Sequence, residues 1–412
     1  MDTLIFNNNP SYIMHIDLNS CFATIEQQAN PFLRGKPIAV AAYTTPNGCI
    51  LAASIEAKKL GIKTGMRVRD GKTIYPDLII LPSDPNKYRD VHIKLKNLIL
   101  EYTNDFTPKS IDEFVLNLEN YPTLKTRSLK VVAQEIKDRI KTEIGEWLTV
   151  SIGIAPNRYL AKIAAGLHKP DGLDEINSQN FLDIYSALKL TDLTGIKNAN
   201  AARLNSMGIY SVLDFYQASV WRLKAAFHSI TGLYWHTRLA GYEADSVEYQ
   251  RRSYGNSVAL GKNLSTIPDL SPVLARLTEK TCSRLRRAGY TAGGIHLFLS
   301  YKDGKWWHKG KGIGRQMFDP RDIYKAASRL LLESPSAGSA APYVLNMAVS
   351  CSNLDRVASC QLDFFNDVQK KEKLVEALDD INEKWGDFTI SMARSMGGAK
   401  MVIDRIAFGG RD

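Results

Sequence analysis

Cysteine is scarce in this sequence, and none of its cysteines has the spacing of a metal-binding module. Five cysteines are scattered over 412 residues without a CxxC pair. An odd, dispersed set of this kind is typical of reduced thiols in an intracellular protein. It argues against a disulfide framework and against a zinc-finger-like site, and we expect buried free thiols.

Long apolar runs are missing as well. No stretch reaches the roughly 18 apolar residues that a membrane-spanning helix requires. The first residues also lack the basic and apolar regions of a secretory signal peptide. We therefore expect a soluble, cytoplasmic protein without a membrane partner. The length predicts about two to four domains.

Acidic residues are in deficit, with 43 Asp and Glu against 53 Lys and Arg, and the formal net charge is +10. Such an excess favours a polyanionic partner, and its position matters more than its size. The basic residues are dense on one predicted helix and one predicted hairpin: Arg276, Lys280, Arg284 and Arg287 at helical spacing, then Lys302, Lys305, Lys309, Lys311 and Arg315 around Trp306 and Trp307. Counterion release from DNA phosphates would reward this clustering. A solvated helix face and a lysine-protected edge strand are the alternative.

Acidic side chains stand at the ends of two apolar runs. Asp17 closes the run over residues 12–17, and Asp112 and Glu113 open the run that ends at residue 118. A charge in such a setting is costly unless it has a partner. Carboxylates at the ends of neighbouring strands suit Mg²⁺, and two such ions clamp the oxygens of a phosphoryl displacement. The pattern predicts a nucleotidyl transferase, although a helix cap or a surface charge is the commoner role of one such carboxylate.

The adjacency of Asp112 and Glu113 sets a geometric condition. Neighbouring residues of a regular strand point to opposite faces of the sheet. The two carboxylates can therefore share a metal site only at the first residues of a strand or in a bulge. Pro108, just upstream, makes a strand start at this point reasonable.

The order of predicted elements indicates an α+β fold. A strand over 12–17, a helix to 28, a strand over 110–118, a helix over 129–144 and a strand over 148–154 follow the ferredoxin-like order. A small subdomain over 31–82 interrupts it. Residues after 172 are helical in pattern to about 241, and from Arg251 strands again alternate with helices.

A series of segments, in this order, resembles the motifs of Y-family translesion DNA polymerases, which include bacterial DNA polymerase IV and the catalytic subunit of polymerase V. The segments are IDLNSCFATIE (16–26), SIEAKKLGI (54–62), SIDE (110–113), SIGIA (151–155), LAKIAA (160–165) and KPDG (169–172). The resemblance implies a right-hand fold with a ferredoxin-like palm (1–28 and 85–175), small fingers (29–84), a helical thumb (176–245), an α+β little finger (250–355) and a C-terminal segment (356–412). Which of the two branches applies stays open.

The resemblance also implies roles in catalysis. Asp17 and Asp112 would bridge two Mg²⁺ ions, Glu113 would complete the site that activates the primer 3′-hydroxyl, and the Leu18 carbonyl would join the nucleotide-side ion. Phe22 stands where the family keeps an aromatic steric gate against ribonucleotides. Without the resemblance, a plain core residue would be the better interpretation of Phe22.

Other positions would bind the substrates. Lys169 matches a family lysine that reaches the triphosphate. Lys58 stands at a position where polymerase IV-like members often carry an arginine, and Ile55 at a position where they carry a tyrosine. Gly195 and Lys197 resemble part of a helix-hairpin-helix that binds a DNA phosphate. Further DNA contacts are predicted at Arg276, Arg284, Lys305, Lys309 and Lys311.

A short peptide near the C-terminus resembles the motif that hooks bacterial polymerases to the sliding clamp, and it comprises Gln361, Leu362, Phe364 and Phe365. We thus expect a monomeric, low-fidelity DNA polymerase that uses primer–template DNA and dNTPs in damage tolerance and the SOS response. The rivals are a non-catalytic, clamp-tethered DNA-binding subunit, a two-metal nuclease and a ribonucleotide polymerase.

Overall fold

The computed structural model of the protein describes residues 4–122, 127–246, 251–338, 341–356, 368–386, 388–398 and 401–402. The described residues up to 246 form one compact unit, and those from 251 onward form a second. Among these residues, no helix combines the length and the hydrophobicity that a membrane span needs.

The first unit alternates short strands with helices. Its strands are β1 (Ile13–Leu18), β2 (Ile38–Ala41), β3 (Ile50–Ala53), β4 (Ile79–Pro82), β5 (Phe106–Pro108), β6 (Glu113–Asn117), β7 (Val150–Ala155) and β8 (Leu173–Glu175). Its helices are α1 (Cys21–Ala29), α2 (Ile55–Lys59), α3 (Val68–Ile74), α4 (Pro85–Leu100), α5 (Leu129–Arg139), α6 (Arg158–Leu167), α7 (Phe181–Ala187), α8 (Asn198–Ser206), α9 (Val212–Gln217), α10 (Val220–Phe227) and α11 (Thr231–Leu239).

A five-stranded sheet in the order β5-β6-β1-β7-β8 forms the centre of this unit. The central strand β1 pairs antiparallel with both β6 and β7, and β8 runs parallel to β7. Because side chains alternate along β1, Met14 and Ile16 enter the core with α1, α4 and α5, whereas Ile13 enters the core with α6. Packing on both faces therefore holds β1 in place.

Two smaller bodies of structure adjoin this sheet. Strands β3, β2 and β4 form a second sheet, and together with α2 and α3 they enclose a small apolar core of their own. Helices α7 to α11 share a core with α6 that contains Tyr185, Phe215 and Trp235. These are the segments for which the sequence predicts fingers and thumb.

The second unit is a sheet covered by helices. Its elements are β9 (Ser253–Leu264), α12 (Ile267–Arg287), β10 (Tyr290–Tyr301), β11 (Trp306–Met317), α13 (Pro320–Leu332), β12 (Val344–Arg356) and α14 (Val368–Trp385). The strand order is β11-β10-β12-β9. Helices α12 and α13 bury the alternate residues Ile295, Leu297 and Leu299 of β10, and the guanidinium of Arg286 makes two 2.7 Å hydrogen bonds to Asp379 of α14.

Several predicted elements differ from the structure at their ends. The strand predicted over 110–118 starts only at Glu113, because residues 109–112 form a turn. The helix predicted over 129–144 ends at Arg139 and continues as one π-helical turn over Ile140–Ile144. The hairpin predicted over residues 303–304 is confirmed, and Gly304 takes the φ of +86° that the turn requires.

Gly153 allows α6 to approach β7 closely, and this contact can be tested. A Cβ atom at Gly153 would lie 2.1 Å from both the Ala161 carbonyl oxygen and the Ala165 nitrogen. We expect Gly153→Ala to lower the unfolding free energy of the first unit by about 1–3 kcal/mol, as overpacking does. Urea unfolding followed by circular dichroism measures the effect.

Gly166→Ala is the matched control. Gly166 lies in α6, the helix that packs on Gly153. Apart from the backbone of α6 itself, no atom of the described residues lies within 4 Å of its added Cβ. Alanine in a helix is more stable than glycine by up to about 1 kcal/mol, so this variant should be at least as stable as the parent. Equal midpoints for the two variants would contradict the proposed close packing.

Candidate active site

The antiparallel pairing of β1 with β6 brings the predicted carboxylates together. Asp17 lies directly opposite Glu113 in the register of the two strands. One residue further along, the backbone N–H of Leu18 donates a 2.9 Å hydrogen bond to the carbonyl oxygen of Asp112. The acidic ends of the two apolar runs therefore meet at one edge of the sheet.

Asp112 and Glu113 satisfy the geometric condition that their adjacency imposes. Glu113 is the first residue of β6, and Asp112 belongs to the preceding turn, which the Lys109 N–H closes on the Glu113 carbonyl oxygen at 2.8 Å. The Ser110 hydroxyl donates to Asp112 Oδ1 at 2.5 Å. Since the turn precedes the strand, strict alternation does not govern the direction of the Asp112 side chain.

Asp17 belongs to two groupings of side chains. With Asp112 it lines a cavity. With Glu113 and His15 it forms a cluster whose potential ligand atoms all lie within 4.8 Å of one another. Carboxylate oxygens are the ligands that Mg²⁺ takes, so the two carboxylates of the cluster fit the predicted ion. The cluster differs from the predicted trio because it includes His15 and omits Asp112.

Two lysines neutralise the carboxylates. Lys169 Nζ lies 2.6 Å from Asp17 Oδ2, and Lys162 Nζ donates to both oxygens of Glu113 at 2.8 and 2.7 Å. The sequence predicts a nucleotide contact for Lys169 and no role for Lys162. The available signal was the position of Lys162 inside the quoted LAKIAA segment, on a helix whose apolar face packs on β7.

The protonation of the carboxylates reflects this environment. Burial raises the pKa of Asp17 to about 6, against the opposing effect of Lys169. Burial likewise raises the pKa of Asp112, and the Ser110 hydrogen bond offsets only part of the increase. For Glu113, burial acts to raise the pKa, but the Lys162 hydrogen bonds and charge outweigh it, so the pKa is lowered. The three acids are therefore electrostatically distinct.

A cavity of about 420 Å³ opens beside Asp17 and Asp112. It gathers four further residues for which the sequence predicts a role, namely Leu18, Phe22, Lys58 and Lys169. The other lining residues are Asn19, Ser20, Cys21, Leu51, Ala52, Ile55, Lys59, Thr64 and Pro170. Loss of hydration through burial, and then the charge of Lys169, lower the pKa of Lys58.

Phe22 fits both interpretations of its role. It lies on α1, is 3% exposed and belongs to the main core of the unit. Its ring stacks on Tyr88 with a centroid distance of 4.4 Å and an interplanar angle of 12°, and it also lines the cavity. A ring fixed in this way has little freedom to yield to a ligand.

Comparison with known proteins identifies the family. The sequence model described as "impB/mucB/samB family" matches residues 16–166, and the model of that family's C-terminal domain matches residues 251–364. DNA polymerase IV of Moorella thermoacetica is 31% identical over 95% of this chain and 97% of its own length. DNA polymerase IV 1 of Bacillus subtilis is 30% identical, with 91% and 90% covered.

Solved structures agree. A Y-family DNA polymerase chimera of Dbh and Dpo4 has a TM-score of 0.73 and 27% identity, over 83% of this chain and 98% of that chain. The chain belongs to the Y family of DNA polymerases. The predicted resemblance and the α+β class are thereby confirmed. An insertion ternary complex of Dbh DNA polymerase has a TM-score of 0.57 at 26% identity, with 83% and 98% covered.

In this Y-family polymerase, the predicted DNA contacts of the first unit lie in a turn before α8. Gly195 takes a φ of +94°, which favours glycine. Its carbonyl oxygen accepts a 3.0 Å hydrogen bond from the Asn200 side chain. Lys197 is the N-cap residue of α8 and does not cap the helix with its side chain. The resemblance of this turn to part of a helix-hairpin-helix, and its contact with DNA, stay predictions.

The predicted DNA contacts of the second unit fall into two classes. Arg276 is 11% exposed and packs its guanidinium on the Phe388 ring, and Arg284 donates to the Gly255 carbonyl oxygen at 3.3 Å. The lysines of the hairpin face water: Lys305, in the turn before β11, is 83% exposed. On β11 itself, Lys311 is exposed and Lys309 forms a surface pair with Glu333. The lysines are thus the more accessible cations.

The predicted clamp peptide, Gln361, Leu362, Phe364 and Phe365, lies outside the described residues. Its assignment therefore stays a prediction from the sequence.

Proposed function

We propose that this chain is a template-directed DNA polymerase for translesion synthesis that adds deoxynucleotides to a primer 3′-hydroxyl at Asp17, Asp112 and Glu113. The proposal is carried by one observation, namely that Asp17 and Asp112 share a cavity with the cations Lys58 and Lys169. Such a cavity offers metal-binding oxygens on one side and phosphate-binding charges on the other. A non-catalytic DNA-binding subunit would have no need of this pairing.

The roles follow from chemistry and position. Bound as a pair, Mg²⁺ ions would lower the pKa of the primer hydroxyl and neutralise charge on the triphosphate. Asp17 and Asp112 would hold both ions, with Glu113 on the primer side and the Leu18 carbonyl on the nucleotide side. Lys169 is paired with Asp17 at 2.6 Å, and a triphosphate would offer it a second anionic partner. Lys162 would keep Glu113 ionised.

Low fidelity is supported by the walls of the cavity. Ala52 and Ile55 contribute small or aliphatic side chains to its lining, which leaves more room over a nascent base pair than a large ring at position 55 would. We propose that this space admits mispaired and damaged bases.

DNA would be held by the proposed palm, fingers, thumb and little finger, with the boundaries predicted from the sequence. The exposure of the lysines on β11 and in the turn before it supports a phosphate-binding role for Lys305, Lys309 and Lys311. Gly195 and Lys197 would bind a phosphate in the thumb. Arg276 and Arg284 are held within their own unit, which makes them the weaker candidates. A monomeric, cytoplasmic protein and a role in the SOS response stay predictions.

Asp112→Asn tests the catalytic assignment. The substitution keeps the shape of the side chain and removes its charge, so primer extension with Mg²⁺ should fall by at least about 10²–10³-fold. Extension of a labelled primer on undamaged and abasic templates gives the rates.

Asp90→Asn is the matched control, since Asp90 is 62% exposed and pairs only with Lys94 on the surface of α4 among the interactions described here. It should extend primers at the parental rate. Survival of extension in Asp112→Asn would remove the proposed site, and cleavage of DNA by the parent chain without extension would favour the two-metal nuclease.

Phe22→Val tests the steric gate. A smaller side chain leaves space for the 2′-hydroxyl, so the ratio of ribonucleotide to deoxynucleotide insertion should rise at least about tenfold, the equivalent of 1.4 kcal/mol. Because the readout is a ratio of two insertion rates, a loss of folded enzyme lowers both rates equally and leaves the ratio unchanged. Phe32→Val, at a residue that is 84% exposed, should leave the ratio unchanged, and an unchanged ratio in Phe22→Val would make Phe22 a core residue only.

We also propose that residues 361–365 bind a sliding clamp. Alanine at Leu362, Phe364 and Phe365 should abolish capture of the chain by immobilised clamp and leave primer extension without clamp intact. Trp385→Ala removes a 70% exposed aromatic ring from α14 and should not affect capture. Undiminished capture of the triple variant would place clamp binding elsewhere.

A further inference from the structure

His15 is a buried polar residue that the proposed mechanism does not use. It lies two residues before Asp17 on β1, so the two side chains are on the same face of the sheet. It is 1% exposed. Its partners across the neighbouring strands are Val115 and Gly153, and the missing side chain at Gly153 is what lets α6 close over this face.

Neither ring nitrogen of His15 has a hydrogen-bond partner among the described residues. A buried nitrogen without a partner costs about 1–3 kcal/mol, and the great majority of such groups in native proteins are satisfied. An apolar residue at this position would avoid that cost. Two orphaned nitrogens beside a pair of carboxylates therefore point to a ligand that joins His15 in some state of the protein.

The nearest polar groups are carboxylates. His15 Nε2 lies 4.0 Å from Glu113 Oε2, too far for a hydrogen bond, and the ligand atoms of His15, Asp17 and Glu113 all lie within 4.8 Å of one another. Two ligands of one tetrahedral ion with bonds of about 2.0–2.2 Å lie about 3.3–3.6 Å apart. The most distant of these ligand atoms would have to approach one another by up to about 1.5 Å, a movement of side-chain torsions, for all three side chains to share one ion.

We propose that His15, Asp17 and Glu113 form a binding site for a divalent transition ion of the Zn²⁺ or Co²⁺ type, with His15 as a nitrogen ligand. Imidazole suits these ions, whereas Mg²⁺ prefers oxygen. Zn²⁺ takes histidine nitrogen and Asp or Glu oxygen as ligands, and three protein ligands leave the fourth position of a tetrahedral site open for water. Lys162 and Lys169 occupy the carboxylates in the ion-free protein and are the groups that the ion displaces.

This site is different from the Mg²⁺ arrangement of the proposed function because it uses His15 and does not use Asp112. It shares Asp17 and Glu113 with that arrangement, so a bound Zn²⁺ ion and catalytic Mg²⁺ compete. Zn²⁺ binding at this site requires neither DNA nor nucleotide, so it does not depend on the chain being a polymerase.

Titration calorimetry with Zn²⁺ on the full chain tests the proposal. His15→Phe should weaken Zn²⁺ binding by at least about tenfold, since loss of even an outer-shell partner costs about 10- to 100-fold. The affinity for Mg²⁺ should not change in the same variant. His236→Phe is the control, because His236 is also buried with an unpartnered Nε2 but lies on α11, outside the cluster, and its Zn²⁺ affinity should equal that of the parent.

A second measurement uses the unsubstituted protein, so its result does not depend on whether His15→Phe folds. Co²⁺ bound through imidazole shifts the exchangeable ring N–H proton far downfield in the proton NMR spectrum, and this resonance should be absent when Co²⁺ is bound by oxygen alone. Its absence from the parent, or equal Zn²⁺ affinity in folded His15→Phe, would overturn the proposal. Either result would leave the primer-extension tests of Asp112 and Phe22 unaffected.

Discussion

The pairing register that sets Asp17 opposite Glu113 is the constraint on which the site depends. A shift of β6 by one residue would turn its side chains to the other face of the sheet and separate the carboxylates. The register is secured by burial on both sides of β1, with Met14 and Ile16 in one core and Ile13 in the other. The same apolar contacts that stabilise the fold thus set the geometry of the acids.

Charge compensation explains how such a site can fold before any ion arrives. Partly buried carboxylates are unfavourable without partners, and lysines from α6 and from the turn before β8 supply them at Glu113 and Asp17. The ammonium groups are also the groups that an incoming metal or triphosphate must move or engage. The same lysine–carboxylate pairs therefore stabilise the ion-free fold and stand where a metal ion or a triphosphate would bind.

The agreement between sequence and structure is uneven, for physical reasons. The condition on Asp112 and Glu113 followed from strand periodicity, and the turn before β6 meets it. The face and neighbours of Lys162 depend on how α6 crosses the sheet, which local patterns do not encode. In the sequence, His15 is one more polar residue of a strand; its burial, and its lack of a hydrogen-bond partner among the described residues, follow only from the fold. For Phe22, the motif alone did not distinguish a steric gate from a core residue, and the structure adds that its ring both packs in the core and lines the cavity.

The sequence by itself determined the family, the α+β class, the order of elements and the identity of the acidic side chains, because these depend on residue type and local periodicity. Only the tertiary structure decided which acids share which neighbours: Asp17 with Asp112 along the cavity, and Asp17 with Glu113 and His15 beneath α6. Those groupings depend on contacts between residues far apart in the chain, and their distances are set by packing that a linear pattern cannot specify.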